Sequence, residues 1–376
     1  MSQQLTREEQ ERKYPEYTWD LTTIFKSDEA FEEAFKSIEA KIGEEEKFKG
    51  HLGESAETLY EALSLEDELG TKLEKVYVYA HLKQDQDTAK DKYTGLEARA
   101  HQLVIKYSSA WSFLVPEILQ LDEATIQSFI DSNDDLKRYE FDLKLINEKR
   151  PHILDANTEK LLTEAQDALS TPSNVYGMFS NADLEFEDAI DKDGQAYPLT
   201  QGTFIKYLES DDRELRASAF RNVYKAYGAH NNTLGATLAG EVKKNVFNAR
   251  THHYRSARER ALSNNHIPEA VYDNLIKTVH KYLPLLHRYT KLRQELLGLD
   301  DLKMYDLYTP LVKDVKFEMP YEEAKSWMLK ALEPMGEEYL NVVKEGLDNR
   351  WVDVYENKGK RSGGYSSGGH LTNPFI

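Results

Sequence analysis

The sequence predicts a mainly α fold. Apolar residues recur at three- and four-residue spacing through most of the chain, strand-period alternation is confined to two short stretches, and helix-start and helix-stop residues fall between the periodic runs. The chain has 376 residues, 40% of them hydrophobic, so it can fill a substantial core and is globular.

Residues 28–170 read as a succession of amphipathic helices. Phe31, Phe35, Ile38 and Ile42 make one stripe, Leu59, Leu63, Leu69, Leu73, Val76 and Ala80 a second, and Leu96, Leu103, Tyr107 and Trp111 a third. Each stripe needs a neighbour to bury it. Breaks are expected at 50–53, at Pro116 with the cap-like Asp122 after it, at Asn133-Asp134-Asp135 and at Arg150-Pro151. No fixed period repeats, which points to one irregular bundle and away from a solenoid.

Near residue 180 the texture changes. Leu184-Glu185-Phe186-Glu187 alternates with strand period, Asp193-Gly194 supplies a tight turn, and Ala196-Tyr197-Pro198-Leu199 returns as a short edge strand. Ser210-Asp211-Asp212 then starts a long helix or a broken pair, marked by Ala217, Phe220, Tyr224, Tyr227, Leu234, Leu238, Val242 and Val246. Further helices are expected over 268–298 and 320–347. Trp351-Val352-Asp353-Val354-Tyr355 is strand-like, and the tail reads as a hairpin with Asn357-Lys358-Gly359-Lys360 at its tip. β-structure is therefore expected only near 184–199 and 351–366.

The formal net charge of −18 repels phosphate backbones and anionic headgroups, so no nucleic acid and no membrane surface is expected as a partner. The opening ten residues are charged and lack the apolar core of a signal peptide, and no apolar run approaches spanning length, which points to a cytoplasmic location. With no cysteine, thiol nucleophiles, disulfides and Cys-ligated zinc are excluded.

By spacing alone the chain carries no catalytic or metal-ligating set. No two of its eleven histidines are three or four residues apart, so no helix presents two imidazoles on one face, and H-E-x-x-H is absent. His252-His253 point to different faces, His280 and His287 are two turns apart, and all four read as packed or surface histidines. No G-x-S-x-G elbow, phosphate loop or dinucleotide fingerprint occurs.

The tail differs. Gly363-Gly364 in an extended segment removes side-chain bulk, so another backbone can approach and pair through main-chain hydrogen bonds, as in a substrate cradle. The competing reading is a bulge or turn with no ligand. The last residues, Pro374-Phe375-Ile376, are expected to leave apolar surface uncovered, as in a chain cut in mid-domain.

Five stretches together resemble oligoendopeptidase F, a zinc metallopeptidase family (M3) of the thimet oligopeptidase clan. They are Tyr17-Thr18-Trp19-Asp20-Leu21-Thr22-Thr23-Ile24-Phe25, Lys149-Arg150-Pro151-His152-Ile153-Leu154, the run 249–262 around His252-His253-Tyr254, Met304-Tyr305-Asp306-Leu307-Tyr308, and the tail 357–376. The resemblance covers only the N-terminal part of such an enzyme. It implies a helical N-terminal domain at 1–190 and, at 191–376, the first part of an α-rich, channel-forming catalytic domain with small β-hairpins. It also implies a zinc-dependent endopeptidase acting on short peptides. Carried over residue by residue, Gly363, Gly364, Tyr365 and Ser366 match the substrate-side strand, the family more often having Ala where Gly364 stands.

In that family an H-E-x-x-H and a further Glu supply the zinc ligands and the general base soon after the Gly-rich strand, and these would lie beyond Ile376. The metal's open position would then activate water and polarise the scissile carbonyl. The expectation for this chain is thus a metallopeptidase by ancestry that holds no zinc and is catalytically incomplete alone, with a complementing C-terminal fragment or self-association as further partners. The alternative is a noncatalytic helical peptide-binding or scaffold protein. The tail from Ser362 is expected to be mobile or wrongly paired.

Overall fold

The computed structural model describes residues 5–312 and 318–376. In chain order the α-helices are α1 (Arg7–Lys13), α2 (Asp28–Lys41), α3 (Ala56–Gln86), α4 (Asp91–Ala110), α5 (Leu114–Ile118), α6 (Glu123–Ser132), α7 (Glu140–Glu148) and α8 (Ala156–Glu164). They continue with α9 (Gln166–Met178), α10 (Gln201–Leu208), α11 (Arg213–Ala229), α12 (Asn231–Thr251), α13 (Ala257–Ser263), α14 (Glu269–Leu296), α15 (Tyr321–Ala331) and α16 (Glu337–Asp348). The fold is mainly α. The strands of the described residues are β1 (Ala189–Ile190) and β2 (Ala196–Tyr197), an antiparallel pair in which Ala189 faces Tyr197 and Ile190 faces Ala196.

Side-chain caps set many of the helix starts. Ser27, Ser55 and Asp122 accept hydrogen bonds from the amides of Ala30, Thr58 and Thr125, and Asp155 and Asp212 do the same for α8 and α11. Several helices end on a residue in the left-handed region, as at His253 (φ 60°), where the Tyr254 amide reaches back to the Ala249 carbonyl and closes the last turn of α12.

By contact density the chain forms two units, with crossings at 18/19, 175/176, 237/238, 260/261 and 364/365. One unit comprises 19–175, 238–260 and 365–376. Its spine is α3, about 46 Å long at the usual helical rise, flanked by α2 and α4. All three apolar stripes are buried there except Ile42, which is partly covered. Phe31 stacks on Tyr79 at 5.5 Å, and the Tyr79 hydroxyl donates to Asp28. The expected breaks at 133–135 and just before the cap Asp122 are present, but Pro116 lies within the first turn of α5, where a missing N–H costs nothing.

The other unit comprises 1–18, 176–237 and 261–364. A small core of Ala189, Leu199, Leu215, Ala219 and Val223 joins the β-pair to α11. The turn between the strands is held by Asp191, whose carboxylate accepts from the Asp193 and Gln195 amides, with Gly194 at φ 81°. Residues 184–187 are not a strand, contrary to their alternation: the pairing begins five residues later, at Ala189, because Phe186 is drawn into packing beside this core.

Two further expectations are corrected. Residues 351–366 form no hairpin: a turn exists at 357–360, with the Lys360 amide on the Asn357 carbonyl, but the limb before it pairs with the N-terminal segment instead. Val354 N donates to Tyr17 O at 3.0 Å, Lys358 N to Leu5 O at 2.8 Å, and Gln10 Nε2 to Tyr355 O at 2.7 Å. The apolar end is not bare either. Phe375 is fully buried in the core of the α3 unit, and the Trp19 indole donates to Ile376 O. The Leu238 and Val242 stripe on α12, by contrast, is exposed, as are Leu275, Val279, Tyr282 and Leu286 on α14.

Candidate functional site

The segment that sequence reasoning singled out, 363–366, is approached by a chain held down residue by residue. Asp353, whose side chain is fully buried, accepts from Arg7 Nη1 at 2.7 Å and from Lys360 Nζ at 2.5 Å. A buried carboxylate is tolerable only when cations stand against it, and here one comes from the start of α1 and the other from the end of the 357–360 turn. Arg350 adds a bond from Nε to Thr18 O. At the end of this run Ser362 donates its amide to Asn181 Oδ1 and its hydroxyl to Gln201 Oε1. It borders a cavity of about 290 Å³ shared with Leu184, Phe186, Thr200 and Glu356.

Beyond Ser362 the backbone changes character. Gly363 has φ 101°, a conformation that L side chains rarely adopt, so the turn alone accounts for it. Gly364 is different: its φ is not positive, and a Cβ built on it would meet nothing within 4 Å. The turn reading therefore explains the first glycine and not the second. Both are exposed, as is Ser366, and among the described residues no hydrogen-bond partner stands against the peptide groups of Gly363, Gly364 or Ser366.

Tyr365 is anchored in the α3 unit. Its hydroxyl donates to Asp85 Oδ2 at 2.5 Å, and its ring lies 6.3 Å from both Trp19 and His81. Two residues on, Ser367 and Phe375 exchange both backbone hydrogen bonds, at 2.7 and 2.8 Å, and His370 N donates to Glu74 Oε2. Asp85 and His81 were not legible in the sequence: they lie some 280 residues before Tyr365 on an otherwise ordinary amphipathic helix.

Of the histidines flagged in sequence, His252 is packed, whereas His253, His280 and His287 are exposed. His152 stacks on Tyr254 at 3.6 Å and bonds the His252 carbonyl, while the His252 ring bonds the Asn248 carbonyl and approaches Glu159 at 3.4 Å. Two of the resembling stretches thus interlock structurally. Among the described residues no three His, Asp or Glu side chains stand close enough to hold a metal ion. The side chains of the described residues therefore do not fit a zinc site. Nor is any described helix long and apolar enough to cross a membrane.

Comparison with known proteins decides the family. The profile of Peptidase family M3 matches residues 206–373, and that of Oligopeptidase F matches 117–186. Oligopeptidase PepF of Bacillus subtilis (strain 168) is 51% identical over 96% of this chain and 54% of its own length. The chain belongs to peptidase family M3.

Group B oligopeptidase PepB of Streptococcus agalactiae is 44% identical over 96% of this M3 chain and 60% of its own length. The crystal structure of oligoendopeptidase-F from Enterococcus faecium superposes with a TM-score of 0.76 at 40% identity, over 85% of this chain and 60% of that one. The chain therefore spans little more than half the length of the relatives it matches. The segment 363–366 falls inside the M3 match, near its C-terminal limit.

Proposed function

We propose that this chain is the peptide-binding portion of a zinc-dependent oligoendopeptidase, taking short peptides as an added strand along Gly363, Gly364, Tyr365 and Ser366. The observation that carries the reading is the exposure of Gly363, Gly364 and Ser366, whose peptide groups have no hydrogen-bond partner among the described residues, with open space in front of Gly364, inside the stretch that matches family M3. Extended peptides pair with such segments through main-chain hydrogen bonds, and a missing side chain lets the backbones approach. The division into a helical domain at 1–190 and part of the catalytic domain at 191–376 belongs to the same proposal, supported by the order of the two family matches. So does a cytoplasmic location. Hydrolysis needs a zinc site that these residues do not build, so the chain alone binds peptide without cleaving it, and cleavage awaits a complementing C-terminal fragment.

A second reading, a noncatalytic peptide-binding or scaffold protein, draws on the lack, among the described residues, of any group of His, Asp and Glu that could hold a metal ion. Both readings place the peptide on the same residues.

Titration of a fluorescein-labelled nonapeptide of mixed sequence, followed by anisotropy, tests the site. Gly364→Val should weaken binding at least tenfold while changing the urea midpoint little, since a Cβ added there has open space within 4 Å. Equal affinity of the two proteins would remove the segment from consideration. Elemental analysis should find no stoichiometric zinc, and the peptide should survive incubation. About one tightly bound zinc per chain, with chelator-sensitive cleavage, would overturn the claim of catalytic incompleteness.

A further inference from the structure

Asp85 is the penultimate residue of α3, where the helix's exposed carbonyls disfavour negative charge, and its side chain is almost wholly buried. A carboxylate in that position is retained only if donors are held against it. The Tyr365 hydroxyl is one, at 2.5 Å. The His81 ring, one turn earlier, brings Nε2 to 3.4 Å and lies 6.3 Å from the Tyr365 ring at a tilt of 51°, while Tyr77 stacks on it at 5.8 Å. The position that carries the tyrosine is the link between Gly364 and Ser366, both exposed and, among the described residues, without backbone hydrogen-bond partners.

We propose that Asp85 is a positioning residue for peptide binding. By accepting the Tyr365 hydroxyl, it fixes the backbone on which Ser366 presents its peptide groups. This rests on the peptide-binding reading above. A strand-edge recognition segment loses affinity if it must be ordered at the moment of binding, because the ordering entropy then opposes association. Residues 367–376 are held independently by the Ser367–Phe375 pairing and the Glu74 contact, so the tyrosine's hydrogen bond governs only the two or three residues that meet the peptide.

The test uses the full chain and the same labelled nonapeptide, at a temperature where circular dichroism shows every variant folded. Tyr365→Phe and Asp85→Ala should each lower affinity about tenfold, and the double variant should lose no more than either single one, since both remove the same hydrogen bond. Asp85→Asn, whose amide oxygen still accepts the hydroxyl, should bind more tightly than Asp85→Ala. If Asp85→Ala does not fold, Tyr365→Phe and Asp85→Asn, which preserve volume, carry the comparison. Binding by Tyr365→Phe within twofold of the parent overturns the positioning role alone, as do single losses that multiply in the double variant. Absence of binding by the parent chain overturns both this role and the reading on which it rests.

Discussion

Asp306 has no solvent exposure, and three arginines converge around it. Arg213 and Arg216 donate to its carboxylate at 2.9 and 2.8 Å, and Arg293 donates to its carbonyl at 3.1 Å. Burial pushes the carboxyl up, but the bonds from Arg213 and Arg216 and from the Lys303 amide outweigh it, leaving the group below its ordinary value. A carboxyl depressed in the folded state adds stability that is complete above its unfolded value, about 3.9. That stability is lost as pH falls through the lower folded value. Asp306→Ala should cost about 3–5 kcal/mol near neutral pH, because it strands the buried Arg216 guanidinium. Urea midpoints of parent and variant should converge in strong acid, and a constant gap from pH 7 to 2 would count against this account. The sequence flagged Asp306 only as part of a landmark; the arginines on its carboxylate lie 90 and 93 residues earlier, where no local spacing could reveal them.

Among elements, the tail and α3 teach opposite lessons. The stripes of α2, α3 and α4 were legible because a helix that buries one face must repeat its apolar residues every three or four positions. The tail has no such period. Its apolar residues looked uncovered, yet Phe375 enters the core beside Trp19, with ring centroids 6.3 Å apart. Phe375→Ala should therefore destabilise the α3 unit by about 3–5 kcal/mol. In native-state hydrogen exchange the Ser367 and Phe375 amides should be protected until that unit opens. Fast exchange at both, with an unchanged urea midpoint, would restore the picture of a loose end. The 351–366 hairpin failed for a related reason. Extended residues pair with whichever edge is present, and the N-terminal segment offers one that sequence distance conceals.

At the scale of the whole molecule, large apolar side chains exposed among the described residues are concentrated beyond residue 223. On α14, Tyr272, Leu275, Val279, Tyr282, Leu286, Tyr289 and Leu296 follow a heptad-like spacing and are all exposed. Surface of this kind binds apolar dyes and promotes association, even in a chain carrying a net charge of −18. Light scattering should rise with concentration and with salt, which screens the repulsion between copies. Leu275→Glu combined with Leu286→Glu should suppress that rise while moving the unfolding free energy by less than about 0.5 kcal/mol. Loss of folding in this double variant would show that α14 is covered.

The sequence by itself determined the helical class, the buried faces of α2 to α4, the capped helix starts at Asp122 and Asp212 and, through five short stretches, the family. These are local properties: periodicity and capping are written within a few residues of where they act. Only the tertiary structure decided that Gly364 faces open space, that Tyr365 is tethered to Asp85, that Asp306 gathers three arginines and that Phe375 is core. Each depends on residues far apart in the chain whose approach is set by packing, and side-chain identity alone does not specify which distant partner a polar or apolar group will meet.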